Sequence, residues 1–139
     1  MTRDLVGRWA LGLIALLMLP AGIHAAFAPR SWYDEFPFGR GWIAAEGGSY
    51  DEHLARDIGV LFLALIVVTV WAVWRNDAIS AIALAWLLQG VLHLVYHVGH
   101  LDGLGTADKV GLVGSLVTVP LLAATALFAG LPNPGGSHE

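Results

Sequence analysis

The stretch AISAIALAWLLQGVLHLVYHVG, residues 78–99, decides the fold class because it contains no Asp, Glu, Lys or Arg. A helix needs about 20 apolar residues to cross roughly 30 Å of hydrocarbon. Three further stretches meet this requirement, and the four predicted spans cover residues 9–28, 54–74, 78–99 and 110–130. Such segments must be helical in a bilayer, because every backbone polar group has to be satisfied within the segment. The sequence therefore predicts an all-α fold, a polytopic membrane protein built as a four-transmembrane-helix bundle.

The composition of the whole chain agrees with this fold class. Hydrophobic residues make up 57% of the 139 residues and charged residues only 13%, which is far from a soluble domain. The chain has no cysteine, which excludes disulfides and metal centres held by thiolates. The net charge of −4 and the lack of a Lys/Arg run argue against nucleic acid as a partner. We expect one integral membrane domain, residues 1–139, whose partners are the lipid bilayer and other membrane subunits or further copies of the chain.

Two segments lie outside the predicted spans. Residues 29–53 form a long loop rich in Trp, Tyr and Phe, and such loops are usually functional when they are not disordered. We predict that this aromatic loop folds over the polar end of the bundle as a lid, although an interfacial anchor without a gating role explains its composition as well. The tail, residues 131–139, is predicted to be disordered.

The orientation follows from the first span. Arg3 and Arg8 precede it, which favours a cytoplasmic N-terminus in the plasma membrane. The segment also resembles a signal peptide with a cleavage site after Ala28, but Pro29 disfavours cleavage and the apolar stretch is long for such a signal. We therefore expect a retained helix.

Three histidines lie on one face of the third predicted span. His93, His97 and His100 stand at i, i+4 and i+7, within an arc of roughly 60° on a helix of 3.6 residues per turn. Gln89 and Tyr96 widen this polar arc to roughly 100°. Ionisable side chains inside a bilayer are costly and mark a site unless a partner simply satisfies them. The third span therefore carries the main candidate site.

The start of the second predicted span supplies a complementary polar face. His53 and Asp57 form an i, i+4 pair, and Glu52 and Arg56 form another with the acid before the base. Ser49 is the predicted N-cap, with Glu52 completing a capping box. Because successive spans run in opposite directions, this face and the end of the third span share one membrane side, which is the outer side if the N-terminus is cytoplasmic.

A metal site is the first interpretation of these residues. Imidazoles at i and i+4 are a common way to hold one ion, and an all-nitrogen and oxygen set suits Zn, Cu, Fe or Mn. The predicted ligands are His53, Asp57, His93, His97 and His100. The residues predicted to surround and orient them are Glu52, Arg56, Gln89, Tyr96 and Asp102. This interpretation makes the chain a metal-binding membrane protein with a redox-related role.

Haem b is the second interpretation. It requires two axial histidines on facing helices, and His53, His93 and His97 are the candidates. The nearby carboxylates are unusual neighbours for an apolar macrocycle. Haem is therefore a less favoured interpretation than a metal ion without a porphyrin.

A polar network without any cofactor is the third interpretation. Imidazoles and carboxylates that satisfy each other hold a bundle together. The chain would then be a non-catalytic accessory subunit of a larger membrane complex, respiratory or lipid-transporting. Such a subunit should tolerate loss of the histidines but depend on the small-residue face at Gly111 and Ser115.

Three sequence blocks carry a resemblance to a known group. They are WYDEFPFGRGW (residues 32–42), YDEHLARDIGVLFLAL (residues 50–65) and HLVYHVGHLDGLGTADKVG (residues 93–111). The pattern resembles small uncharacterised four-helix membrane proteins of actinobacteria, which are loosely similar to the DoxX-like group. The resemblance implies the four-helix fold and a role beside redox systems, and it does not decide between an enzyme and an accessory protein. It singles out Glu52, His53, Arg56, Asp57, His93, His97, His100 and Asp102.

Overall fold

The computed structural model describes residues 2–130, and the tail predicted to be disordered lies outside the described residues. The described part contains helices and no strands. In chain order the helices are α1 (Arg3–Phe27), α2 (Pro29–Glu35), α3 (Trp42–Ala45), α4 (Glu52–Arg75), α5 (Ile79–Val98) and α6 (Thr106–Gly130).

Four of these helices, α1, α4, α5 and α6, are long and apolar enough to cross a membrane. This confirms the four predicted spans and is consistent with a multi-pass membrane protein. The helices extend beyond the apolar stretches, since α1 begins at Arg3 and α6 at Thr106. Backbone hydrogen bonding continues through charged residues, whereas hydropathy marks only the part that fits the hydrocarbon.

The start of α4 differs from the predicted cap. The N-cap is Asp51, whose carboxylate accepts a hydrogen bond from the Leu54 backbone N–H at 3.0 Å, so the assignment of Ser49 was wrong. Both residue types favour caps, and the sequence pattern alone does not fix which of two neighbouring candidates closes the first turn.

The spatial order of the spans differs from their order in the chain. Helix α1 packs against α4 and α6, whereas α5 packs mainly against α6. The core is built around three fully buried side chains, Leu11 and Ile14 of α1 and Trp86 of α5. The Trp86 indole N–H donates to the Thr69 hydroxyl at 2.8 Å and so connects α5 to α4. The two helices otherwise have few contacts with each other.

Two glycines lie at close helix contacts. A Cβ on Gly59 of α4 would overlap the backbone of α1 at Ala26, so only glycine permits this approach. A Cβ on Gly90 of α5 would lie 2.9 Å from the Pro120 ring of α6. The helices therefore approach through single glycines, as small residues allow in membranes.

Residues 28–51, which we call the cap, connect α1 to α4 and contain α2 and α3. The segment predicted as an irregular loop is thus partly helical. Trp42 of α3 is buried in a small apolar cluster with Leu104 and Leu112. Its ring lies beside Gly111, where a Cβ would be 3.2 Å away. Gly111 therefore accommodates the cap rather than a neighbouring helix of this chain.

Candidate functional site

The predicted site residues lie in the half of the bundle that the cap contacts, except for Gln89 in the middle of α5. At the end that the cap contacts, α1 terminates, α4 begins, α5 terminates and α6 begins. The structure does not join the predicted ligands into one cluster but divides them among separate small groups.

The least exposed of these groups joins the cap to α5. Nδ1 of His97 lies 2.5 Å from Oε1 of Glu46, with the two side chains only 16% and 9% exposed. Because a carboxylate accepts hydrogen bonds, the His97 ring carries a proton on Nδ1. Glu46 thus fixes the orientation and tautomer of His97 in the way that carboxylates orient metal-binding imidazoles.

His93 extends this group along α5. Its ring stacks on the His97 ring with centroids 4.4 Å apart and planes inclined by 23°. Nδ1 of His93 lies 3.0 Å from the amide nitrogen of Gln89, one turn earlier. Gln89, His93, His97 and Glu46 therefore form one continuous polar row, which we call the His row.

The two imidazoles of the His row each leave Nε2 unused. Within residues 2–130 neither Nε2 atom takes part in a hydrogen bond. No buried side-chain nitrogen or oxygen in that range lacks a partner, so these two atoms reach the molecular surface. Neutral Nε2 is a common metal-binding atom of histidine. Nε2 of His93 is free of a proton when Nδ1–H donates to the Gln89 amide oxygen. Rotating the Gln89 amide by a half-turn exchanges its nitrogen and oxygen and places the oxygen next to Nδ1.

The pair at the start of α4 stands apart from the His row. His53 and Asp57 contact each other at 3.3 Å, and the His53 side chain is 89% exposed. Arg56 pairs with Glu52 at 2.9 Å and also donates to the Ala26 carbonyl at 2.7 Å. These residues form a polar helix start that ties α4 to the end of α1.

The third histidine of the predicted face is also separate. Nδ1 of His100 lies 2.7 Å from the Tyr96 carbonyl oxygen, and its ring stacks on the Tyr96 ring at 4.2 Å. Both residues and the following Asp102 are exposed. Because α5 ends at Val98, His100 leaves the helical path that would have kept it in line with His93 and His97.

The predicted five-ligand set is not assembled. In the described part of the chain no group of three or more His, Asp or Glu side chains is arranged to hold a metal ion. The His row offers two imidazole nitrogens, and a metal bound there would need further ligands from water or another molecule.

A second polar group, which no sequence pattern indicated, fastens the cap. Asp108 accepts from the Trp42 indole N–H at 2.7 Å and from the Arg40 guanidinium at 2.5 Å. Glu46 was likewise not among the predicted site residues. Each of these contacts joins residues more than fifty positions apart, so no local spacing signals them.

Comparison with known protein families, curated proteins and solved structures found no match, so the resemblance to the DoxX-like group stays a prediction.

Proposed function

We propose that this chain is an integral membrane protein that binds a transition-metal ion through Nε2 of His93 and His97. The observation that supports the proposal is the arrangement of the His row, in which both Nδ1 atoms are engaged and both Nε2 atoms stay free. Metal-binding histidines characteristically use one ring nitrogen for the ion and the other for an orienting acceptor.

The available protein ligands limit which metal ions can bind. Two imidazoles in a site without thiolates suit Cu, Zn, Fe or Mn, and two protein ligands leave coordination positions open. Copper or iron at such positions would give the redox-related role that we propose. Haem is a weaker candidate, because His93 and His97 are stacked on one helix whereas bis-histidine haem needs ligands from facing helices.

We further propose a plasma-membrane location with a cytoplasmic N-terminus. The support is the pair Arg3 and Arg8 at the start of α1, since positive charge is retained on the cytoplasmic side. The His row would then lie at the extracytoplasmic side.

The test is metal analysis of protein purified in mild detergent without chelator. The wild type should carry a stoichiometric transition metal, and the double variant His93→Ala/His97→Ala should lose it. The matched control His53→Ala/His100→Ala removes two exposed imidazoles outside the His row and should keep the metal. An absorption spectrum of the same samples reports haem through its Soret band.

The second candidate function is a non-catalytic accessory subunit. It is favoured by the buried Glu46–His97 pair, which joins cap and bundle, and by the absence of a third ligand in the described residues. In this case the wild type is free of metal even after incubation with Cu²⁺ or Zn²⁺. The chain should then copurify with other membrane proteins or with further copies of itself, and the double variant should not alter that association.

A further inference from the structure

A pocket separate from the His row lies where α1 meets the cap. Its volume is about 310 Å³, and it is lined by the last turns of α1, the end of α2 and the turn that follows. The lining residues are Pro20, His24, Glu35, Phe36, Pro37, Phe38 and Gly39. The wall is largely apolar, and its charged group is the Glu35 carboxylate, with no Lys or Arg among the lining residues.

A chain of hydrogen bonds orients that carboxylate. The Ser31 hydroxyl donates to Oε2 of Glu35 at 2.9 Å, and Nε2 of His24 lies 3.0 Å from the same hydroxyl oxygen. Since the single hydroxyl proton goes to Glu35, the bond between His24 and Ser31 is donated by His24. These two hydrogen bonds therefore run in one direction, from His24 through Ser31 to the Glu35 carboxylate.

The direction of these hydrogen bonds excludes Ser31 as a nucleophile activated by His24. A general base must accept the hydroxyl proton, whereas here the imidazole donates a proton to the hydroxyl oxygen. The arrangement is suited to binding a cation beside Glu35 rather than to covalent chemistry.

The pocket opens at one end of a candidate membrane span. Pro20 and His24 belong to the last turns of α1, a helix long and apolar enough to cross a membrane, and the Phe36–Gly39 turn lies beyond the end of that helix. Phe38 on the pocket rim is fully exposed and has a φ of 52°, a conformation that is costly for a bulky side chain. An exposed aromatic ring at this position is favourable next to lipid and unfavourable in water.

We propose that this pocket binds the primary ammonium headgroup of a membrane phospholipid, with Glu35 as its charged partner and the Phe36–Gly39 turn as its apolar wall. A carboxylate selects a cation, and a primary ammonium supplies three hydrogen-bond donors that a quaternary ammonium lacks. Phosphatidylethanolamine therefore fits the pocket better than phosphatidylglycerol, which has no cation, or phosphatidylcholine, which has no donor. This site is independent of the metal proposal.

Asp34 provides a matched control on the same helix. It is already paired with Arg30 at 2.6 Å, and this contact raises the pKa of the Arg30 guanidinium above its usual value. Asp34→Asn therefore removes the same charge one residue away from the pocket without touching its lining.

The experiment measures bound lipid by native mass spectrometry. The whole protein is released from nanodiscs of phosphatidylcholine that contain equal minor fractions of phosphatidylethanolamine and phosphatidylglycerol. The wild type should retain phosphatidylethanolamine over both other lipids. Glu35→Gln should lower that preference about two- to fivefold, the range of an exposed ion pair, and Asp34→Asn should leave it unchanged.

A charge-reversal variant separates the effect of the Glu35 charge from any effect of the altered side chain in Glu35→Gln. Glu35→Lys should transfer the preference to phosphatidylglycerol, with helix content unchanged by circular dichroism. Equal retention of the three lipids by the wild type, or the same preference in wild type, Glu35→Gln and Glu35→Lys, would overturn the proposal.

Discussion

Replacement of Trp42 by alanine should release the cap from the end of α5 and α6 without unfolding the bundle. Trp42 is the buried side chain of α3, and it packs with Leu104 and Leu112 in a cluster separate from the main core. The expected change is therefore local, since the main core retains all its side chains.

The magnitude follows from the contacts that are lost. Truncation of a large buried aromatic side chain costs about 3–5 kcal/mol, and Trp42, which is 9% exposed and packs in a cluster of only three buried residues, is expected near the lower end. About 3 kcal/mol corresponds to a more than hundredfold rise in the population of the released cap. Trp42→Phe keeps an aromatic ring but loses the N–H bond to Asp108, so its effect should be about tenfold.

Hydrogen–deuterium exchange in nanodiscs measures this population. The reporters are the backbone amides of α3 and its flanks, including Ala45, which bonds to Gly41 at 3.0 Å, and Gly47, which bonds to Ala44 at 3.2 Å. Exchange through local opening rises with the population of the open state. The control is Trp74→Ala, an exposed tryptophan on α4, which should leave these amides unchanged.

If the α3 amides of Trp42→Ala exchanged at the wild-type rate, Trp42 would not hold the cap in place. If amides of α1 and α5 exchanged faster together with those of α3, the change would be global unfolding and not local release of the cap.

Four further variants test the His row and the packing of the bundle. Glu46→Gln keeps an acceptor but removes its charge, so under the metal proposal the affinity in a metal titration should fall about 10- to 100-fold, and an unchanged affinity would speak against an orienting role. Gly59→Ala should lower the free energy of unfolding in detergent by about 1–3 kcal/mol, because the new methyl group meets the backbone of α1. Gly114→Ala, where nothing lies within 4 Å, should not lower it, so equal losses in the two glycine variants would contradict the close contact. Thr69→Val leaves the buried Trp86 N–H without its acceptor and should cost about 1–3 kcal/mol in the same unfolding assay, whereas an unchanged stability would show that this bond contributes nothing.

The four spans were predictable because hydropathy is a local property of each segment. The stacking of His93 on His97 was equally readable, since an i, i+4 spacing on a helix brings two side chains together without help from the rest of the fold. For the same reason the sequence indicated the contact between His53 and Asp57.

The sequence could not show whether these two pairs contact each other. It placed both pairs on one membrane side, but α4 packs mainly on α1 and α5 packs mainly on α6, so a shared side does not bring them together. The partner that His97 does have, Glu46, belongs to a connecting segment whose path depends on where Trp42 is buried. Spacing rules carry no information about such contacts between distant parts of the chain.

The packing order has a consequence for how the protein is made. Spans leave the ribosome in the order α1, α4, α5, α6, yet the main neighbour of α5 is α6, the last of the four to be synthesised. Until α6 is inserted, Gly90 of α5 is open where Pro120 later packs, whereas Glu46, the partner of His97, has already been synthesised. A chain arrested before α6 therefore exposes the packing face of α5, and membrane chaperones and quality-control proteases should act on that form.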